Sequence, residues 1–215
     1  MKASLSRWYD RIFATVYDPL LARTEKETLA PLRSRLLDGI RGTILDIGSG
    51  TGSNLPFLDR PGNRTIFLDR SPAMMRKGME KGLGARGLPV IGSASALPFA
   101  DGGFDAIVVT LVLCSVDDPM ASLLEIRRTL KRNGTLFLME HVLSDSPPVA
   151  SLQKMATPVW KVLAAGCHLD RRTDHQVRRL FREERGNREI IGGLPFHIGV
   201  YRKKLESLPI EENRG

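Results

Sequence analysis

Cysteine is scarce in this chain: two residues, Cys114 and Cys167, among 215. Two thiols so far apart make no disulfide framework, and a reducing, cytoplasmic setting is the expectation. Long apolar runs are missing as well. The longest, residues 106–116, is too short to span a bilayer and contains Thr110 and Ser115. No signal-peptide pattern opens the chain, no internal repeat recurs, and no segment is of low complexity. No set of His, Cys and carboxylate residues stands at metal-ligand spacing, so no metal is expected. Acidic residues are in deficit: 24 Asp and Glu against 32 Lys and Arg, a net charge of +8. The basic residues are scattered rather than run together. That favours a solvated basic surface over a basic binding module, and nucleic acid is not the expected partner. A hydrophobic content of 42% in a chain of this length fits one α/β domain with a modest addition.

The chain is organised around Ile44-Leu45-Asp46-Ile47-Gly48-Ser49-Gly50-Thr51-Gly52. Residues 43–47 read as a buried parallel strand. It runs into glycines at 48, 50 and 52, which let the backbone turn sharply and a ligand approach the main chain. A second apolar strand, 65–68, ends in Asp69, where an acid can accept hydrogen bonds from ribose hydroxyls. The dinucleotide fingerprint wants a third glycine where Ser53 stands. Asp46, two residues before the first glycine, would repel a pyrophosphate and welcome a cation. S-adenosylmethionine carries an ammonium, a sulfonium and a ribose, and no phosphate. The stretch resembles the first motif of class I S-adenosylmethionine-dependent methyltransferases, of the type 11 kind. That resemblance implies a cofactor site of Asp46, Gly48, Ser49, Gly50, Gly52, Asp69 and Arg70. It also implies an adenine segment at Gly92-Ser93-Ala94-Ser95-Ala96-Leu97-Pro98-Phe99, with Ser93 in the place of the family's usual acid and Ala94 beside it.

Taken in order, residues 5–21 carry an apolar helical stripe of Leu5, Trp8, Tyr9, Ile12, Phe13, Val16, Tyr17, Leu20 and Leu21. It is expected to pack over the cofactor mouth, with peripheral membrane contact as the alternative. Asp18-Pro19 is expected to break or kink it, and Thr24-Glu25-Lys26-Glu27 reads as a capping box opening a new helix. Strand and helix then alternate: a helix from Ser71-Pro72, a strand at 89–92, a strand at 104–113, a helix from Asp118-Pro119 stopping at Asn133-Gly134, and a strand at 135–139. This predicts a doubly wound, Rossmann-like seven-stranded sheet of five parallel strands and a terminal antiparallel hairpin. A charged helix is expected at 171–185, the hairpin strands at 189–191 and 197–201, and a frayed tail at 204–215. As one domain, 1–215 divides into a helical cap at 1–40, a cofactor core at 41–142, a cap insertion at 143–187 and the hairpin at 188–203.

At the end of the fourth strand lie Leu113-Cys114-Ser115-Val116-Asp117-Asp118, where a methyl acceptor would meet the sulfonium. The Asn/Asp-Pro-Pro-aromatic tetrad of base N-methyltransferases is absent. Asp118 is expected to cap the next helix rather than hold a metal with Asp117. Four segments recur together: Leu113–Pro119, Met139-Glu140-His141-Val142, Pro158-Val159-Trp160-Lys161 and Gly166-Cys167-His168-Leu169-Asp170-Arg171. In this they resemble the methyltransferase-like-seven family, whose animal members methylate small thiols on sulfur. That implies transfer to a small thiol, with Leu111 and Ser115 against the donor and Tyr9, Tyr17, Cys114 and Trp160 about the acceptor. A thiol needs only a mild base or a positive field, because a few per cent is thiolate near pH 7. His168 and His141 are the candidate bases, with Arg171 as partner to a thiolate. Cys114 and Cys167 also read as small buried hydrophobes. Quinone C-methylation and phospholipid N-methylation use the same core and stay open as alternatives.

Overall fold

The computed structural model describes residues 2–204, with side chains from residue 8 onward. Strands β1 (Thr43–Ile47), β2 (Arg64–Asp69), β3 (Gly87–Ile91), β4 (Phe104–Thr110) and β5 (Leu130–His141) run parallel. The antiparallel pair β6 (Phe181–Ile191) and β7 (Leu194–Lys203) is added through β7 against β5. Across the sheet the order is β3-β2-β1-β4-β5-β7-β6. The chain leaves β1 toward one edge and returns beside β1 at β4, so strand order reverses between these two strands. In such sheets ligands sit in the crevice at the carboxyl ends of the strands at this reversal.

Alternation builds the two faces. Leu45, Ile47, Ile107 and Val109 join one buried cluster, while Ile44, Ala106 and Val108 join the other. Neighbouring residues of β1 and β4 therefore face opposite ways, and helices cover both sides. One cover includes α6 (Pro119–Thr129) and α8 (Thr173–Leu180), which bring Leu123, Ile126, Val177 and Leu180. The other includes α2 (Ala30–Leu36) and the turn after it, which bring Leu32, Leu36, Leu37 and Ile40.

Four expectations change. Helix α1 (Lys2–Thr24) continues through Pro19 instead of breaking. Its Asp18 is held at 2.6 Å by both the Thr51 hydroxyl and the Lys81 ammonium, which fixes that turn. Thr24 opens no new helix. It keeps helical angles, makes no side-chain cap, and leads through a π turn at Glu25–Leu29 into α2. Glu25 pairs instead with Arg33, whose side chain is 2% exposed. Helix α6 stops at Thr129, and Asn133-Gly134 lies within β5. Leu130 is pulled into the core at the point where β5 starts pairing with Phe104. The charged segment after Arg171 gives only the short α8, and β6 starts at Phe181, ahead of the expected hairpin boundary at 188. Most of β6 is exposed. A charged edge strand looks like a solvated helix in sequence, and its charges discourage pairing with another chain. The stripe's Leu5 side chain and tail residues 205–215 lie outside the described residues. No helix among the described residues is long and apolar enough to cross a membrane.

Asp118 caps α6 as expected: its Oδ1 accepts from Met120 N at 2.9 Å and Ala121 N at 3.0 Å. Replacing it, Asp118→Ala, should lower stability by about 1 kcal/mol. That corresponds to a melting temperature about 2–4 °C lower for a chain of this size. Thermal unfolding followed by circular dichroism checks this, and an unshifted midpoint rejects the capping role.

Candidate active site

The turn after β1 is built to leave little free. Gly48, Gly50 and Gly52 have φ of +66°, +56° and +90°. A Cβ on Gly48 would come within 2.4 Å of the Val112 side chain, so only glycine lets the turn pass under the loop that follows β4. The backbone N–H groups of Gly48 and Ser49 donate to Leu68 O (2.7 and 3.1 Å), that of Gly50 to Asp69 Oδ2 (2.8 Å), and that of Gly52 to Ser49 O (2.9 Å). A pyrophosphate would need such donors, and these four are taken.

What the turn does leave is an acceptor. Asp46 is fully buried; Asn54 Nδ2 donates to its Oδ1 at 2.8 Å, and its Oδ2 has no partner among the described residues. Ser49 Oγ, also buried, has none either. Burial pushes the Asp46 carboxyl up to about 7, against the Asn54 hydrogen bond and the nearby Arg33 charge. A ligand cation would satisfy that oxygen, so the turn fits the ammonium-bearing end of S-adenosylmethionine and disfavours a phosphate. Asp69, at the end of β2, accepts from Gly50 N and from Ser71 N (2.8 Å each). A carboxylate has further lone pairs for ribose hydroxyls. The neighbouring Arg70 is more than half exposed and reaches Asp117 at 3.8 Å. On the adenine segment Ala94 and Leu97 are buried. Ser93 Oγ, in contrast, lies 2.9 Å from Ser95 Oγ within its own exposed turn.

A second structure forms where β4 ends. Leu111 takes a left-handed φ of 60°, an uncommon choice for a branched side chain. The next three amides turn onto one buried carboxylate: Val112 N and Leu113 N donate to Glu140 Oε1 (2.5 and 2.8 Å), and Cys114 N to Oε2 (3.3 Å). Burial pushes Glu140 up to about 7, with these donors working the other way. The loop is clamped from its other side by residues 164–171. Arg171 Nη1 donates to Leu113 O (2.6 Å) and Val116 O (2.7 Å), and His168 N donates to Cys114 O (2.8 Å). Arg171, expected near a thiolate, thus spends its guanidinium on backbone carbonyls.

These clamps bring Cys114, His141 and Cys167 together, which sequence spacing did not foresee. All three are buried, and His141 Nε2 lies 2.9 Å from Cys167 Sγ. The neighbouring Cys114 thiol and, after the opposing effect of burial, the contact with His141 pull the Cys167 thiol well below its ordinary value; the Cys167 sulfur and burial push Cys114 up. Trp160 and Ser115 border the group, Ser115 Oγ at 3.5 Å from Cys114 Sγ. His168 is half-buried, 3.7 Å from Asp170, with its imidazole shifted down chiefly by burial.

Helix α1 packs through Phe13, Ala14 and Tyr17 against Ala73 and Met74 beside the glycine turn. Trp8, Ile12, Val16 and Leu20 of the expected apolar stripe are exposed, so only one side of the stripe covers this end of the sheet. On the same helix Asp10 accepts from Ser71 Oγ (2.7 Å) and Asp18 from Thr51 Oγ1. Tyr9 reaches across to α7 (Pro147–Leu163) and the turn after it, donating to Val162 O (2.6 Å) and accepting from Ala165 N (3.0 Å). Burial lifts the Tyr17 hydroxyl to about 12. Sequence reasoning missed Asn54, Arg33 and the two acids of α1. Asp10 and Asp18 were detectable as acids set within an apolar helical stripe, whereas Asn54 and Arg33 are paired only by the fold.

The Asp46 environment gives a pH dependence with a definite sign. Its folded value is raised, so its contribution to stability is present below about pH 4 and is lost as pH rises through about 7. Binding a cation requires the ionised form. S-adenosylmethionine affinity should therefore rise from pH 5 to 7, by at most about tenfold per unit, and level off above. Calorimetry across this range checks it; a flat profile means that the cation does not meet Asp46.

Comparison with known proteins agrees with this geometry. Residues 45–138 match a family model described as a methyltransferase domain. Thiol S-methyltransferase TMT1B of Rattus norvegicus is 37% identical over 143 residues, covering 64% of this chain and 58% of that protein. The chain thus spans less than two thirds of the length of that relative. A demethylmenaquinone methyltransferase of Thermobifida fusca is 37% identical over 115 residues, 52% of this chain and 48% of that protein. In fold, a solved SAM-dependent methyltransferase of Thermotoga maritima superposes with a TM-score of 0.69 at 18% identity, over 91% of this chain and 99% of the other. The chain thus carries a match to a methyltransferase domain over residues 45–138, set in a fold that it shares with a solved SAM-dependent methyltransferase.

Proposed function

We propose that this protein is an S-adenosylmethionine-dependent methyltransferase acting on a small molecule, and that the acceptor is a small apolar thiol methylated on sulfur. The observation that carries the cofactor half is the glycine turn, with four amides engaged internally and one buried carboxylate oxygen left for a cation. The acceptor half is supported by the apolar and sulfur-rich floor at the ends of β4 and β5, and by the likeness to thiol S-methyltransferases.

In this reading Asp46 holds the ammonium end of the donor, Asp69 the ribose, and Ser93 and Ala94 line the adenine side, with Arg70 at the rim. Leu111 and Ser115 border the reacting methyl group. Bound there, S-adenosylmethionine supplies a methyl carbon made electrophilic by its sulfonium. The protein's part is to hold the acceptor in line with that carbon and to keep water out. Tyr9 ties α1 to the end of α7 and closes the crevice; Tyr17 and Trp160 form the apolar walls. Arg171 acts as a positioning residue, through the carbonyls of Leu113 and Val116. His168 stands beside the acceptor's position to take its proton.

A second reading, methylation of a quinol carbon, is favoured by the likeness to demethylmenaquinone methyltransferase. One experiment separates the two. With methyl-labelled donor and a panel of alkyl thiols, phenols, quinols and amines, mass spectrometry should find labelled methyl sulfides. Label appearing only on quinol or phenol products rejects the thiol reading and keeps the methyltransferase one. No label on any acceptor, together with no heat of donor binding, rejects both.

A further inference from the structure

Three donor side chains converge from three separate elements: Cys114 from the loop after β4, His141 from the end of β5, and Cys167 from the turn between α7 and α8. One ligand atom from each lies within 4.8 Å of the others, and the residues are 2%, 4% and 8% exposed. Buried cysteines usually serve as small apolar residues. Two features set these apart. Their backbones are fixed independently of the thiols, Cys114 by Glu140 on its N–H and His168 N on its carbonyl, and Cys167 by its N–H donating to Ala164 O (3.0 Å). His141 is also buried, with Nε2 turned to the Cys167 sulfur and Nδ1 without a partner among the described residues.

The geometry points to a zinc site at Cys114, His141 and Cys167 with its fourth position open to the acceptor thiol. Two thiolates and an imidazole are the donor set zinc takes tetrahedrally, at about 2.3 Å to sulfur and about 2.0–2.1 Å to nitrogen. Such a tetrahedron has edges of about 3.5–3.8 Å, so side-chain shifts of about 1 Å bring the three atoms onto it. Three protein ligands with a vacancy is the arrangement of a catalytic zinc rather than a structural one. The cluster also borders Ser115 and Trp160, at the end of β4 where the acceptor is placed.

The role of the metal rests on the S-methylation reading; the site itself does not. An incoming thiol displaces water from zinc and gives up its S–H proton to His168, because coordination favours the thiolate. The zinc-held sulfur gives an electron pair to the methyl carbon. The new carbon–sulfur bond forms as the bond from methyl to sulfonium breaks, and that bond's pair returns to the donor sulfur, leaving a neutral thioether. The methylated acceptor is also a neutral thioether, a weaker ligand that leaves. No electron is gained or lost by the metal.

The test uses the full chain without an affinity tag, purified under reducing, air-free conditions. Metal analysis should find about one zinc per chain. Replacing zinc with Co2+ should give sulfur-to-cobalt charge-transfer absorption and intense visible bands of a tetrahedral site. Cys114→Ser and Cys167→Ser should each lower zinc content at least tenfold while still binding S-adenosylmethionine in calorimetry. If neither variant folds, the cobalt spectrum of the wild-type chain decides. Zinc far below one per chain with no cobalt–thiolate band overturns the proposal. So does zinc retained in both variants, or a two-hydrogen mass loss marking a Cys114–Cys167 disulfide. Zinc bound by the two cysteines without thiol methylation keeps the site and sinks the S-methylation reading. Full-rate methylation by zinc-free protein removes the metal's catalytic role.

Discussion

A buried carboxylate holding three backbone amides is the contact on which the candidate site depends. Glu140 closes β5, and the loop leaving β4 wraps onto it through Val112, Leu113 and Cys114. The loop reaches that position only because Leu111 takes a left-handed backbone conformation, which typically costs 1–3 kcal/mol and persists where its surroundings over-determine it. Three charge-assisted hydrogen bonds in a dry setting supply that constraint. Their result is geometric. Cys114 is placed beside His141, the residue after Glu140, and the same loop carries the Leu113 and Val116 carbonyls that Arg171 clamps. Arg171 brings the 164–171 turn with it, and Cys167 arrives at the cluster by that route.

The glycine turn works by a related economy of donors. Because its amides are engaged by Leu68, Asp69 and Ser49, the turn offers a ligand little positive character. Because Asp46 retains an unpartnered buried oxygen, it offers negative character instead. The same strand–glycine–helix arrangement that elsewhere grips phosphate is here suited to a cation. Helix α1 is secured to this turn by its own acids, Asp10 on Ser71 and Asp18 on Thr51. The cover over the crevice is therefore fastened to the cofactor loop itself, and through Tyr9 to α7.

Much of this was legible beforehand where one segment carries the whole signal. The parallel strands stand out as apolar runs because both faces of the sheet are covered, and their parallel direction follows from the alternation of strand and helix. Asp118 capped as its neighbours predict. Local rules failed where a distant partner outweighed them. Pro19 did not end α1, since Thr51 and Lys81 hold the preceding Asp18. Thr24 did not cap, since Glu25 was drawn to the buried Arg33. The charged stretch at 181–191 became an edge strand because β7 offered it a partner, a choice that periodicity in one segment does not contain.

Sequence alone determined the sheet and the glycine turn with its flanking acids, because Asp46, the glycines and Asp69 lie within one strand–helix–strand unit whose geometry is local. Tertiary structure decided what meets at the ends of β4 and β5. Cys114 and Cys167 are more than fifty positions apart, and Arg171 was as fit to hold a thiolate as to hold carbonyls. Only the closing of one loop over another, around a single desolvated carboxylate, chose between those roles.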